Sequence, residues 1–244
     1  ARTFTATPQP LRLGIVHTYT SELLDPWLDL AGSLQGLDVQ TYHAPYGLAL
    51  QEAVPGSGLL RHEPTITLLL LQREDLHPAL ARPIASLDVD GQAQVQVEAM
   101  QRLQQIVQQF RDQPVGQLVV TLLPSTAGPA LGLFDAQSEL SEAAWWGRFK
   151  AELAAWVRQN TASTLFMDLD EVMLQVGRSQ FLDRRFWYSA RFPFAAPAAF
   201  EFTRRLVALA VVMTTPKAKV LVLDADNTLW GGVIGEDGID GIAL

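Results

Sequence analysis

Five short apolar runs punctuate this chain: Leu11–Val16, Val39–His43, Thr65–Leu71, Leu118–Leu123 and Thr164–Asp168. Rich in Leu, Val, Ile and Thr and bounded by turn residues, each predicts a β-strand. The unbroken Leu68–Leu71 stretch predicts a strand buried on both faces, at the centre of a sheet. Longer segments between the runs carry a helical period. Val95, Val97, Met100, Leu103, Ile106, Val107 and Phe110 recur near 3.6 residues and predict a helix over 92–110. A second helix is expected over 142–159, with Trp145, Trp146, Phe149, Leu153 and Trp156. A shorter one runs through Leu23–Ala31 behind Ser21 as N-cap, with Pro26 in its first turn. The segment 76–89 reads as loop, and a further helix over 197–213 is broken by Thr214-Thr215-Pro216, after which Lys219–Leu223 predicts one more strand. Strands alternating with helices specify βαβ units, hence a three-layer, doubly wound, mostly parallel α/β sheet whose ligand crevice lies outside the strand C-termini. The expected division is a polar tail over 1–10, an α/β domain over 11–213 and a separate segment over 214–244.

Composition narrows the classes. Hydrophobic residues make up 48% and charged residues 18% of 244, which excludes a disordered chain. A net charge of −8 argues against a surface that wraps nucleic acid or lies on an anionic membrane. No apolar run reaches the ~18 residues of a membrane span, Leu206–Met213 being the longest. Ala1–Pro10 has no apolar signal-peptide core. The absence of cysteine rules out disulfides, thiolate metal sites and a cysteine nucleophile, and a cytoplasmic location is expected.

The chemistry of this sequence concentrates at the exit of the last predicted strand, in Asp224-Ala225-Asp226-Asn227-Thr228-Leu229-Trp230-Gly231-Gly232. Two carboxylates one residue apart can divide phosphoryl transfer between them, Asp224 as nucleophile and Asp226 as general acid and base. A Mg²⁺ ion held by Asp224 and the Asp226 backbone would offset phosphoryl oxygen charge. Asp, Asn and Gly are also ordinary turn residues, so a plain strand-end turn fits the same letters. The stretch resembles motif I of the haloacid dehalogenase superfamily, and Lys219 through Leu244 resembles the FkbH-like subgroup. Ala44-Pro45-Tyr46-Gly47, Ser57-Gly58-Leu59 and Asp183-Arg184-Arg185-Phe186-Trp187-Tyr188 resemble the SGNH-like N-terminal domain of the same family.

That resemblance implies an SGNH/flavodoxin-like domain followed by a Rossmannoid phosphatase domain. It also implies a reaction: dephosphorylation of 1,3-bisphosphoglycerate and loading of a glyceryl unit onto an acyl carrier protein in polyketide synthesis. A working domain of that superfamily adds a Ser or Thr, a Lys and distal acidic residues on later strands. With 16 residues after Thr228, the expectation is a truncated segment comprising strand plus motif I. The chain then serves as a non-catalytic adaptor for an acyl carrier protein or a neighbouring megasynthase domain. The alternative is the phosphatase and glyceryl transferase itself, completed by further residues.

The first domain offers no Gly-Asp-Ser after strand one, and all four histidines, His17, His43, His62 and His77, lie in the first third of the chain. A relay in the order Ser, Asp, His is therefore not expected. His17, at the end of strand one, is open to two readings: a ligand contact or a hydrogen-bonded loop histidine. His62 and His77 are expected on the surface. Arg178, Arg184, Arg185, Arg191, Arg204 and Arg205 face only Asp183 and Glu201 between 178 and 205, interleaved with Phe181, Phe186, Trp187, Tyr188, Phe192 and Phe194. Arg184, Arg185, Arg191 and His17 are the candidate contacts for an acidic partner or a phosphate. An arginine-rich surface around a small aromatic core explains the same island.

Overall fold

The computed structural model describes residues 8–160, 164–214, 224–225 and 227–238. The chain divides into two compact units, 1–210 and 211–244. In the first, β1 (Gln9–His17), β2 (Leu37–His43), β3 (Ile66–Leu71), β4 (Gln117–Leu122) and β5 (Thr164–Phe166) form one sheet in the order β2-β1-β3-β4-β5, every pairing parallel. The helices are α1 (Asp25–Leu34), α2 (Gly58–His62), α3 (Val89–Arg111), α4 (Glu142–Asn160), α5 (Leu169–Val176), α6 (Arg184–Ala190) and α7 (Ala196–Thr214). This is the doubly wound α/β fold that the alternating pattern predicts. The strand order reverses between β1 and β3, where such sheets open a crevice.

β3 occupies the middle position because all six of its residues are buried. Its alternate side chains supply two cores. Leu69 and Leu71 join Val16, Leu118, Val120 and Leu122 under Leu103, Ile106, Val107 and Phe110 of α3 and Trp145, Phe149 and Leu153 of α4. Leu68, Leu70 and Val119 point the other way and are buried too, so both faces are covered. α1 packs along β2, and its Trp27 meets Phe200 of α7 edge-on. Each fully buried Leu contributes about 1.5–3 kcal/mol. Gly116 holds φ +65° where the chain enters β4, with the Pro64 and Thr65 carbonyls against the place a side chain would fill.

Local signals explain the boundaries. Asp88 caps α3, accepting from the Gly91 amide at 2.8 Å, and Asp183 caps α6, accepting from Arg185 and Phe186. Ser21 precedes a short 3₁₀ turn, Glu22–Leu24, that leads into α1, but its hydroxyl makes no capping bond. Pro26 sits in the first turn of α1, where its missing N–H costs nothing. α5 and α6 fill a stretch with no helical pattern in the sequence.

In the second unit, Asp224 is exposed, Asn227 adopts φ +56°, and the Asn227 side chain accepts from the Gly232 amide at 3.0 Å. The Leu229 amide donates to Ala225 O at 3.0 Å, closing a tight loop ahead of α8 (Ile234–Asp237). The expected strand Lys219–Leu223 and Asp226 lie outside the described residues.

Candidate functional site

The C-terminal ends of β4 and β5 open into a cavity of about 360 Å³, within the range of small-molecule sites. Leu122, Trp146, Met173 and Leu174 form apolar wall, and Arg73, Lys150 and Arg178 bring positive charge. Lys150 is committed. Its Nζ donates to Asp168 Oδ2 at 2.9 Å and to Asp170 Oδ2, while Asp168 Oδ1 accepts from the Asp170 amide at the start of α5. Burial alone would lower the Lys150 pKa, but the Asp170 and Asp168 hydrogen bonds raise it above the ordinary lysine value.

Arg73 is differently placed. Its guanidinium lies 5.1 Å from the centre of the Trp146 ring, and among the described residues it has neither an ion pair nor a hydrogen bond. Burial draws its pKa below the usual arginine value, opposed by the charges of Glu74, Glu142 and Asp170. A half-buried guanidinium stacked on one face keeps its planar fork of donors for an anionic group. Arg178 donates to Ala127 O at 3.2 Å, the opposite side of the same mouth. A smaller cavity of about 190 Å³ shares Arg73, Leu123, Pro124, Ser125 and Ala127 with the first and continues to Phe181 and Trp187.

A second constellation lies at the ends of β1 and β2. Ser21 Oγ is 2.7 Å from His43 Nδ1, and His43 Nε2 is 2.8 Å from Asp25 Oδ1. Ser21, Asp25 and His43 thus stand in one hydrogen-bonded line, and in chain order they are the Ser, Asp, His series that the sequence offered no reason to expect, brought together here near the N-terminal end of the chain. Parallel pairing of β1 with β2 and the return of α1 bring the three together. Ser21 is fully buried, so its hydroxyl is closed to a substrate. The line ties the β1 exit to β2 and α1. His17 beside it is 1% exposed, with Nδ1 2.8 Å from Tyr19 O and Nε2 2.7 Å from Ala44 O. His62 and His77 reach the Gln40 carbonyl and Glu98, respectively.

The arginine island divides in two. Phe181, Phe192 and Phe194 are buried, and Phe194 packs on Tyr19 and Phe202, an aromatic core of its own. Arg184, Arg185 and Arg191 are exposed, with the Arg185 side chain 95% accessible and its Nε 3.9 Å from Asp183. Arg191 stacks over Trp187 at 5.3 Å. Phe186 and Tyr188 are exposed on the same short helix. Thr20, three residues beyond His17, bonds through its amide and hydroxyl to Arg191 O and Ala190 O, so the β1 exit and the end of α6 are joined. Arg204 and Arg205 are instead engaged with Glu201, whose carboxyl they hold down to about 2.

The architecture is an α/β fold shared with hydrolases. The N-terminal part of the protein BF1531 from Bacteroides fragilis, containing a phosphatase domain complexed with Mg, matches 96% of this chain at TM-score 0.68 and 19% identity. This chain spans 60% of that structure. The lipase Lip_vut3 from a goat rumen metagenome matches 83% of this chain and 97% of its own at TM-score 0.54 and 13% identity. BT4096, a gut microbial diltiazem-metabolizing enzyme, matches 85% of this chain and 48% of its own at TM-score 0.50 and 12% identity. At such identities the likeness is one of fold. No protein-family model and no curated protein matches the chain. No helix among the described residues is long and apolar enough to cross a membrane.

Proposed function

We propose that this chain is an FkbH-like module of a polyketide synthase-type pathway whose α/β unit acts as a non-catalytic adaptor for an acyl carrier protein. The observation that carries this reading is the exposed face of α6. Arg184, Arg185 and Arg191 offer positive charge there beside exposed Phe186 and Tyr188, on a protein of net charge −8. An acidic carrier complements such a face, with the aromatic rings supplying apolar contact at its centre. The buried Ser21 leaves the Ser21–His43–Asp25 line a structural role. Titrating the chain with an acidic acyl carrier protein in a calorimeter tests the reading. Binding that weakens about ten-fold or more in the Arg184→Glu, Arg185→Glu double variant, and that falls with salt, supports it. Equal binding by the double variant removes α6 from the interface.

A second reading rests on the acidic loop. Exposed Asp224, ahead of a turn closed by Asn227, suits the nucleophile of a phosphatase, with Asp226 as acid and base. The resemblance to motif I and the fold likeness to a structure with a phosphatase domain and Mg favour it. Asp224 and Asp226 would hold the Mg²⁺, which supplies charge neutralisation at the phosphoryl oxygens. The substrate would be 1,3-bisphosphoglycerate, with the glyceryl unit passed to the carrier. Mg²⁺-dependent phosphate release from an acyl phosphate, abolished by Asp224→Asn, is its signature. No release by the chain, with carrier binding intact, favours the adaptor.

A further inference from the structure

We propose that the cavity at the C-terminal ends of β4 and β5 binds a monocarboxylic acid with an apolar body, its carboxylate on Arg73 and its body against Trp146, Met173 and Leu174. A guanidinium keeps its charge throughout the pH range of a folded protein, and a charge partly withdrawn from water calls for a partner. Among the described residues Arg73 has neither a hydrogen bond nor an ion pair; Trp146 offers it only a ring face, 5.1 Å away. Glu74, Glu142 and Asp170 act on Arg73 through their fields without pairing with it. Its planar fork of donors is therefore open to a group that presents two oxygens in one plane, as a carboxylate does.

The remaining charges select a monoanion. Three cations and four carboxylates line the cavity, a formal balance of −1. Lys150 is already satisfied by Asp168 and Asp170, and Arg178 is exposed and donates to Ala127 O at 3.2 Å. Glu142 accepts from the Ala130 amide at 2.6 Å, and Glu171 is exposed on α5. A single negative charge can be met by Arg73, whereas the second charge of a phosphate ester would face surplus carboxylates. The rest of the wall suits an organic body. Leu122 and Met173 are each 7% exposed, and Leu174, 73% exposed, is an apolar side chain at the rim. Apolar lining with one uncommitted polar group to fix orientation is the usual make-up of a small-molecule site. None of these residues belongs to the α6 face that carries the adaptor reading.

Three probes of similar shape test the assignment: phenylacetate, the neutral phenylacetamide, and phenyl phosphate, which is largely dianionic at about pH 8. Each is titrated at that pH into the ¹⁵N-labelled full chain, read at the Trp146 indole signal, identified as the one lost in Trp146→Phe. A saturable shift with phenylacetate is expected, with phenylacetamide and phenyl phosphate each weaker by about ten-fold or more. Arg73→Met keeps an aliphatic stem on Trp146 and should weaken phenylacetate by a similar factor. No saturable shift, equal binding of the amide, equal or tighter binding of phenyl phosphate, or unchanged affinity in Arg73→Met overturns the proposal. The three-probe comparison on the wild-type chain decides even if the variant misfolds.

Discussion

Replacing Lys150 with Met tests how the mouth of the cavity is held. The methionine keeps most of the aliphatic stem and removes the ammonium, so the change isolates the two bonds to Asp168 and Asp170. The three side chains are 26–32% exposed, between the surface regime, where an ion pair is worth at most about 1 kcal/mol, and the buried regime, where a charge-assisted bond is worth about 1.5–3. Two such bonds of intermediate exposure give about 2 kcal/mol, or roughly 4–8 °C in Tm for a chain of this size. The pKa of Lys150 is raised by the fold, so its contribution is full below the ordinary lysine value near 10.4 and is lost as pH climbs through the raised one. The gap between wild type and Lys150→Met should therefore hold across neutral pH and close in strong base. Thermal melts at pH 7 and 11 read it, and a double-mutant cycle with Asp170→Asn should return a coupling of about 1 kcal/mol. A Tm drop under about 2 °C at pH 7, or zero coupling, would refute the reasoning.

Glu201 gives the opposite sign. Its carboxyl falls from 4.5 to about 2 in the fold, so its pairing with Arg204 and Arg205 stabilises above the unfolded value and is lost as pH drops toward 2. Because Arg204 is half exposed, Glu201→Gln should cost only about 1 kcal/mol at pH 7 and almost nothing at pH 2, by denaturant midpoint. Gly116→Ala should be severe, about 3 kcal/mol or more by urea unfolding, since it adds left-handed strain to a collision with the Pro64 and Thr65 backbone; a loss under 1 would contradict that geometry. Ser21→Ala should lower stability by about 1–2 kcal/mol and leave hydrolysis of short esters unchanged; a Ser21-dependent esterase signal would make the serine a nucleophile.

The inner strands β1, β3 and β4 were legible because they bury both faces along most of their length and so spell themselves out as short apolar runs; β3, six residues all buried, is the extreme case. The helices α3 and α4 were legible because one long face packs on the sheet. α5 and α6, eight and seven residues, span two turns each and are too brief to show a period. The Ser21–His43–Asp25 line was hidden for another reason. Its members are joined by the order of strands, and nothing in a local window announces that β2 returns beside β1. In the sequence Trp146 stands only as one of the apolar residues of the helix expected over 142–159. It is in fact half exposed, and only the fold shows Arg73 stacked upon it. The acidic loop was conspicuous in sequence, yet Asp226 and the strand before it lie outside the described residues.

Arg73 stands as the common wall of two adjoining chambers, with Trp146 as its backstop. Its guanidinium carries one positive charge for both chambers. An anionic guest that settles toward β5 therefore draws on the same charge that an anion in the smaller chamber would need.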